Sequence, residues 1–253
     1  MSPEYRYRQI DECLLEEMEE LVLLGRSGVL LAPRYMGKSY VLRRLAGRLR
    51  NDRALIVASV QFARQPALAN TREIQLLVHD SLRSAAPDVQ SIQANSAEQL
   101  KEVRRLCDAR PRQVVLLASD IDSLAHYQAH QFLREIRVLV ENNGLVAVLS
   151  GGENLRDLVH GDDSEFNSAV YFLLQGSSET EFISYLGRRG EAAQIRFEDA
   201  DTVLRHLYQQ TGGWTHLARA VFWALLENKA RELEFTPSVN NRALTLQEFC
   251  DFL

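Results

Sequence analysis

The stretch GVLLAPRYMGKSYVLRRL, Gly28 to Leu45, runs from a short apolar strand through a small loop into an amphipathic helix. Its centre follows the phosphate-binding pattern G-x-x-x-x-G-K-[ST] except that Ala32 stands where the first glycine belongs. In such a loop, backbone N–H groups and the helix dipole face anionic phosphates. A lysine reaches the outer phosphates, and a hydroxyl helps to hold magnesium. Gly37 lets the backbone approach the phosphate, Lys38 and Ser39 fill the two chemical positions, and Pro33, Arg34, Tyr35, Met36 and Tyr40 complete the candidate binding segment. A Cβ at position 32 is tolerable wherever φ is negative. Pro33 favours an extended Ala32, so alanine fits there.

Strand and helix signals alternate outward from this loop. ECLLEEMEELVLL (12–24) has the apolar spacing of a helix closed by Gly25, and TREIQLLVHDSLRSA (71–85), SAEQLKEVRRLCDA (96–109) and QAHQFLREIRVLVENN (128–143) follow as helices. GVLLA, ALIVASVQF (54–62), RQVVLLASDID (112–122), LVAVLSGG (145–152) and AVYFLLQG (169–176) read as strands. Several are near-continuous apolar runs of the kind buried on both faces of a parallel sheet. This order predicts a three-layer α/β core with a mostly parallel five-stranded sheet over 1–176. Beyond it the strand signal fades. Helices near 178–187, 198–210 and 214–231 suggest a small helical lid over 177–235, and 236–253 is a polar connector with a last short helix from Leu244.

The chain has 253 residues, 46% apolar and 25% charged, with a formal net charge of −5. That balance disfavours a nucleic-acid-coating protein. Arg43, Arg44, Arg48, Arg50 and Arg53 read first as a solvated helix face. Cysteines at 13, 107 and 250 lack disulfide or metal spacing, and no run approaches the ~18 apolar residues of a membrane span. The start is too acidic for a signal peptide, so a cytoplasmic setting without membrane attachment is expected.

Phosphoanhydride hydrolysis of the kind such loops support also needs an acid that orients magnesium and a second that activates water, at the end of another strand. VVLLASDIDSL is the candidate, and two registers fit it. In one, Ser119 replaces the magnesium acid and Asp120 stands as a short base. In the other, Asp120 is the magnesium acid and Ile121 leaves no base unless Asp122 swings in. Alternatively, Asp120 and Asp122 only end the strand and cap a helix. Ser150, at the carboxyl end of LVAVLSGG, could sense a terminal phosphate or hold water, or simply be a polar strand terminus.

Together these pieces resemble the AAA-like ATPase domain of bacterial, notably cyanobacterial, signalling proteins of the STAND group, relatives of the AAA+ ATPases. APRYMGKS is similar to that family's P-R-Q-M-G-K-S loop, SDIDSL to D-E-I-D-S-L, and VLSGGENLRDL to its sensor strand and following helix. SEFNSAVYFLLQGSSETEFISYL is similar to its P-F-N segment with the next strand and first lid helix, and QQTGGWTHLARAVFWALL to the T-G-G-x-P-x-L lid signature. The likeness covers roughly 5–230. It implies ATP or ADP with Mg2+ between core and lid, and a nucleotide state that controls self-association or a separate effector protein. Ser119-Asp120 departs from Asp-Glu, which implies slow or impaired hydrolysis. Thr215 departs from the lid proline at a position that would contact the nucleotide. A scaffold that keeps the fold without turning over nucleotide is the competing expectation.

Overall fold

The structure is a computed structural model and describes residues 4–8, 10–64, 71–85, 113–141, 145–160, 166, 169–192, 196–197, 199–214, 217–218, 220, 224 and 243–244. It divides into two compact units, Met1–Leu174 and Gln175–Leu253.

The first unit holds a parallel sheet of six strands, β1 (Glu4–Arg8), β2 (Gly28–Leu31), β3 (Leu55–Gln61), β4 (Gln113–Ser119), β5 (Leu145–Gly151) and β6 (Val170–Leu174). Their order is β1-β6-β2-β5-β4-β3. The five strands read from apolar runs are β2 to β6. The sixth, β1, extends the edge beside β6, in register from Glu4↔Val170 to Arg8↔Leu174. Its sequence, EYRYR, carries no apolar run and gave no strand signal. β2, β4 and β5 lie inside the sheet and are buried almost throughout, which is why their sequences are apolar at every position rather than at alternate ones.

Because strand side chains alternate between faces, the sheet carries two cores. Val29, Ala58, Leu116 and Ala147 face one side with buried residues of α3 (Thr71–Ala85), α4 (His126–Glu141) and α5 (Glu153–His160). Against β2 to β5 also lie α1 (Glu12–Leu23) and α2 (Lys38–Leu49), which bury Leu14, Met18, Val41 and Leu45. Asp11 caps α1 by accepting from the Leu14 N–H at 2.8 Å, and Gly25, at φ +72°, follows its end.

The arginine cluster is partly absorbed into this packing. Arg44 pairs with Glu12 at 2.6 Å, and Arg48 pairs with Glu12 at 2.9 Å and Glu19 at 2.6 Å, joining α2 to α1.

In the second unit α6 (Glu179–Ala192) and α7 (Ala200–Thr211) bury Phe182, Leu186, Leu204 and Leu207 against each other and Ala218. Ser178 and Glu181 form a reciprocal cap at the start of α6. Here α6 runs to Ala192, beyond the expected end near 187, so Arg188 and Arg189 lie within it, with the Arg189 guanidinium over the Tyr185 ring. Two short strands, β7 (Arg196–Phe197) and β8 (Ala243–Leu244), pair in parallel. This corrects the expectation of helices alone and places Leu244 in a strand, because two-residue bridges carry too few residues to show periodicity; the rest of the last short helix, 245–253, lies outside the described residues. Gly212 and Gly213 have φ of +60° and +78°, and a Cβ on Gly213 would stand 2.3 Å from the Ser177 carbonyl oxygen. The T-G-G turn therefore requires glycine on steric grounds. The helices read at 96–109 and over most of 214–231 lie outside the described residues.

Candidate active site

The carboxyl ends of β2, β4 and β5 bring the loop and the acid segment together. Ala32 leaves β2 by donating its N–H to the Gly151 carbonyl at 3.2 Å. It is buried, and positive φ among non-glycine residues occurs only at Tyr35 and Asp120 of the described set, so the missing glycine costs the loop nothing here. Gly37 precedes α2 in the left-handed region at φ +84°, and a Cβ on it would sit 2.6 Å from Ile10 Cδ1. No side chain caps the first turn of α2, which leaves its N–H groups open to an anionic ligand.

Lys38 is 5% exposed. Its ammonium donates to the carbonyl oxygens of Ala32 and Pro33, each at 2.7 Å. Burial pushes its pKa below the ordinary lysine value; Asp122 and Asp120 pull it back up and Arg34 lowers it further. The loop therefore encloses its own cation. Tyr35 (φ 65°) is exposed with the Arg34 guanidinium 5.7 Å from its ring centre, Tyr40 is exposed on the first turn of α2, and Met36 lies at the edge of the core.

The acids separate into two roles. Asp120 stands just past β4 in the left-handed region, φ 62°, ψ 42°. That turn carries its carboxylate to Ser39, whose hydroxyl donates to Oδ1 and Oδ2 at 3.2 and 3.0 Å. Asp120 also accepts from Gln61 Nε2 at 3.0 Å and from the Ser119 hydroxyl at 3.3 Å. Asp120, not Ser119, is thus the carboxylate that meets Ser39. Asp122 accepts from the Gly152 N–H and, at 3.2 Å, from the Leu155 N–H, so it caps α5, a helix thirty residues further along the chain. Between the two acids Ile121 is fully buried.

Ser150 is fully buried in β5, and its hydroxyl has no hydrogen-bond partner among the described residues. The β4–β5 pairing Ala118↔Leu149 brings it beside Ser119 on the next strand. A cleft of about 620 Å³ opens next to the loop, its lining including the polar Lys38, Arg34, Asp122 and Arg156 and the apolar Leu31 and Leu173. Thr215 lies outside the described residues. Gln61 escaped the sequence reading; its only signal was a polar residue closing an apolar strand.

A family model described as an AAA domain matches residues 24–159, more than half of the chain. The chain belongs to the AAA domain family. No curated protein matches it. Among solved structures it is similar to Drosophila ORC bound to DNA, with a TM-score of 0.62 at 13% identity over 95% of this chain and 65% of that one. Cdc6p from Pyrobaculum aerophilum gives 0.58 at 14% identity, covering 88% of this chain and 62% of the other. Domain III of the Thermotoga maritima replication initiation protein DnaA gives 0.53 at 14%, covering 96% and 90%. The chain thus spans less than two thirds of the ORC and Cdc6p chains named here. At these identities the likeness is one of fold, that of AAA+ P-loop ATPases.

Proposed function

We propose that this AAA domain binds ATP and ADP in the loop from Pro33 to Tyr40 and works as a STAND-type nucleotide-dependent switch, with slow or impaired hydrolysis. The observation that carries this reading is the bond from Ser39 to Asp120, beside a lysine already seated on the loop carbonyls. A hydroxyl and a carboxylate 3.0 Å apart at an uncapped helix start suit magnesium arriving with a nucleotide. Ser39 and Asp120 would hold the ion, which when bound neutralises phosphate charge. Lys38 would move from the Ala32 and Pro33 carbonyls onto the outer phosphates, trading two neutral acceptors for an anionic one.

Slow turnover follows from the acid segment. With Asp120 on Ser39, the water-activating position falls on buried Ile121, and Asp122 is engaged by two backbone N–H groups. A missing general base forfeits roughly 10²- to 10⁴-fold in rate. Residues 177–235 would form the lid, with Thr215 at the nucleotide, and 236–253 a connector. The protein would act in the cytoplasm through self-association or a separate effector protein. Drosophila ORC is bound to DNA in a structure this fold resembles. Here Arg44 and Arg48 are engaged by Glu12 and Glu19, which favours a protein partner.

Titration calorimetry with ATP and magnesium tests the reading: one site per chain in the wild type, none in Lys38→Ala. Absence of heat from both overturns it. The buried Ile121 also favours a second reading, a scaffold that keeps the fold without using nucleotide. A melting temperature unmoved by excess ATP would support that reading, since a ligand at 100 times its Kd adds about 2.7 kcal/mol to stability.

A further inference from the structure

The loss of a base at position 121 leaves open what would orient water at this site. We infer that Gln61 does so. The inference rests on the nucleotide reading above and assigns a role within the same site.

Three observations place Gln61 for this work. Its Nε2 donates to Asp120 Oδ2 at 3.0 Å, and the Ser39 hydroxyl donates to that same oxygen at 3.0 Å, so the amide and the magnesium-site hydroxyl converge on one atom. The residue is half-buried at the carboxyl end of β3, in register with Ser119. The residue after it, Phe62, is buried edge-on against Phe132 with ring centroids 5.3 Å apart, which pins the strand end and the amide with it. With Nε2 donating to Asp120, the amide oxygen Oε1 is the atom of Gln61 that can accept from water.

An amide can hold water in line but cannot remove its proton. The water oxygen forms a bond to the γ-phosphorus. The bond from that phosphorus to the β,γ-bridging oxygen breaks, and its electron pair leaves on ADP. The water proton passes to an oxygen of the departing phosphate. Turnover by this route is slow, because positioning is supplied without general-base assistance.

Gln61→Leu keeps the bulk and removes both polar atoms. With saturating ATP and magnesium, kcat is expected to fall at least tenfold. The ATP Kd at saturating magnesium should stay within twofold of wild type, while the magnesium concentration giving half-maximal ATP binding rises because Asp120 loses its Nε2 partner, and a melting curve checks that the variant is folded. If Gln61 only held Asp120 in place, saturating magnesium would restore kcat to within twofold of wild type, and that result overturns the inference. So does an unchanged kcat. ATP binding with no measurable turnover in the wild type also overturns it, while leaving the nucleotide reading intact; no ATP binding at all defeats both. Should Gln61→Leu fail to fold, Gln61→Asn applies the same criteria, because the shorter side chain cannot hold Asp120 and reach the water together.

Discussion

The two halves of the site depart from pattern in different ways. In the loop, Ala32 replaces a glycine, yet its backbone needs no positive φ and Lys38 and Ser39 keep their places. In the acid segment, an aspartate still reaches Ser39, but the next residue is a core isoleucine and the following acid is committed to capping a helix. A substitution that the local backbone accommodates is harmless, whereas one that swaps a reactive group for a packing group removes a chemical step. On the proposed reading, binding and turnover are therefore separable in this chain.

Several changes would break or sharpen that contrast. The largest expected effect is at Asp120: Asp120→Ala should weaken magnesium-supported ATP binding roughly 10- to 100-fold, the usual range for a lost metal-site partner. It should matter little once magnesium is chelated, and calorimetry with and without chelator checks this. Asp122→Ala, by contrast, tests the acid assigned to structure. It uncaps α5 and should cost about 1–2 kcal/mol in denaturant unfolding, with ATP affinity altered far less than in Asp120→Ala.

Ser150→Ala removes a buried hydroxyl that has no partner among the described residues, so without nucleotide the variant should match or exceed wild-type stability, by up to about 1 kcal/mol. A clear destabilisation would mean that the hydroxyl is satisfied in solution. The smallest effect concerns Lys38. Its folded pKa is lowered by burial, so the unfolded chain binds the proton more tightly between that value and the ordinary 10.5. The cost of burying the ammonium is full below this window and fades as pH rises through it. Relative to Lys38→Met, the wild type should gain stability as pH is raised toward 10.5; a relative loss contradicts the buried, desolvated ammonium.

The fold was legible where apolar patterning is strong. The runs in β4 and β5 are buried on both faces, so their hydrophobicity declared them, and the strand, loop and helix around Lys38 declared the phosphate loop. The charged and aromatic β1 and the two-residue β7 and β8 left no such trace. At the site, the register of the acids was not legible. Whether Ser119 or Asp120 meets Ser39 depends on where β4 ends and on a left-handed turn at Asp120, and neither alters composition. Gln61 and Asp120 are 59 residues apart, and Asp122 and Leu155 are 33 apart. Such pairs arise from strand order, which a single sequence does not display.

The central claim, an intact binding loop joined to an incomplete hydrolytic end, is tested most directly by one quench-flow experiment. Labelled ATP with magnesium is mixed with excess chain, and bound nucleotide and product are read from the same samples. The prediction is stoichiometric binding that Lys38→Ala abolishes, and conversion of bound ATP to ADP slower than about 1 s⁻¹, below the common range for enzymes. No binding by the wild type, or conversion at roughly 10 s⁻¹ or faster, would contradict it.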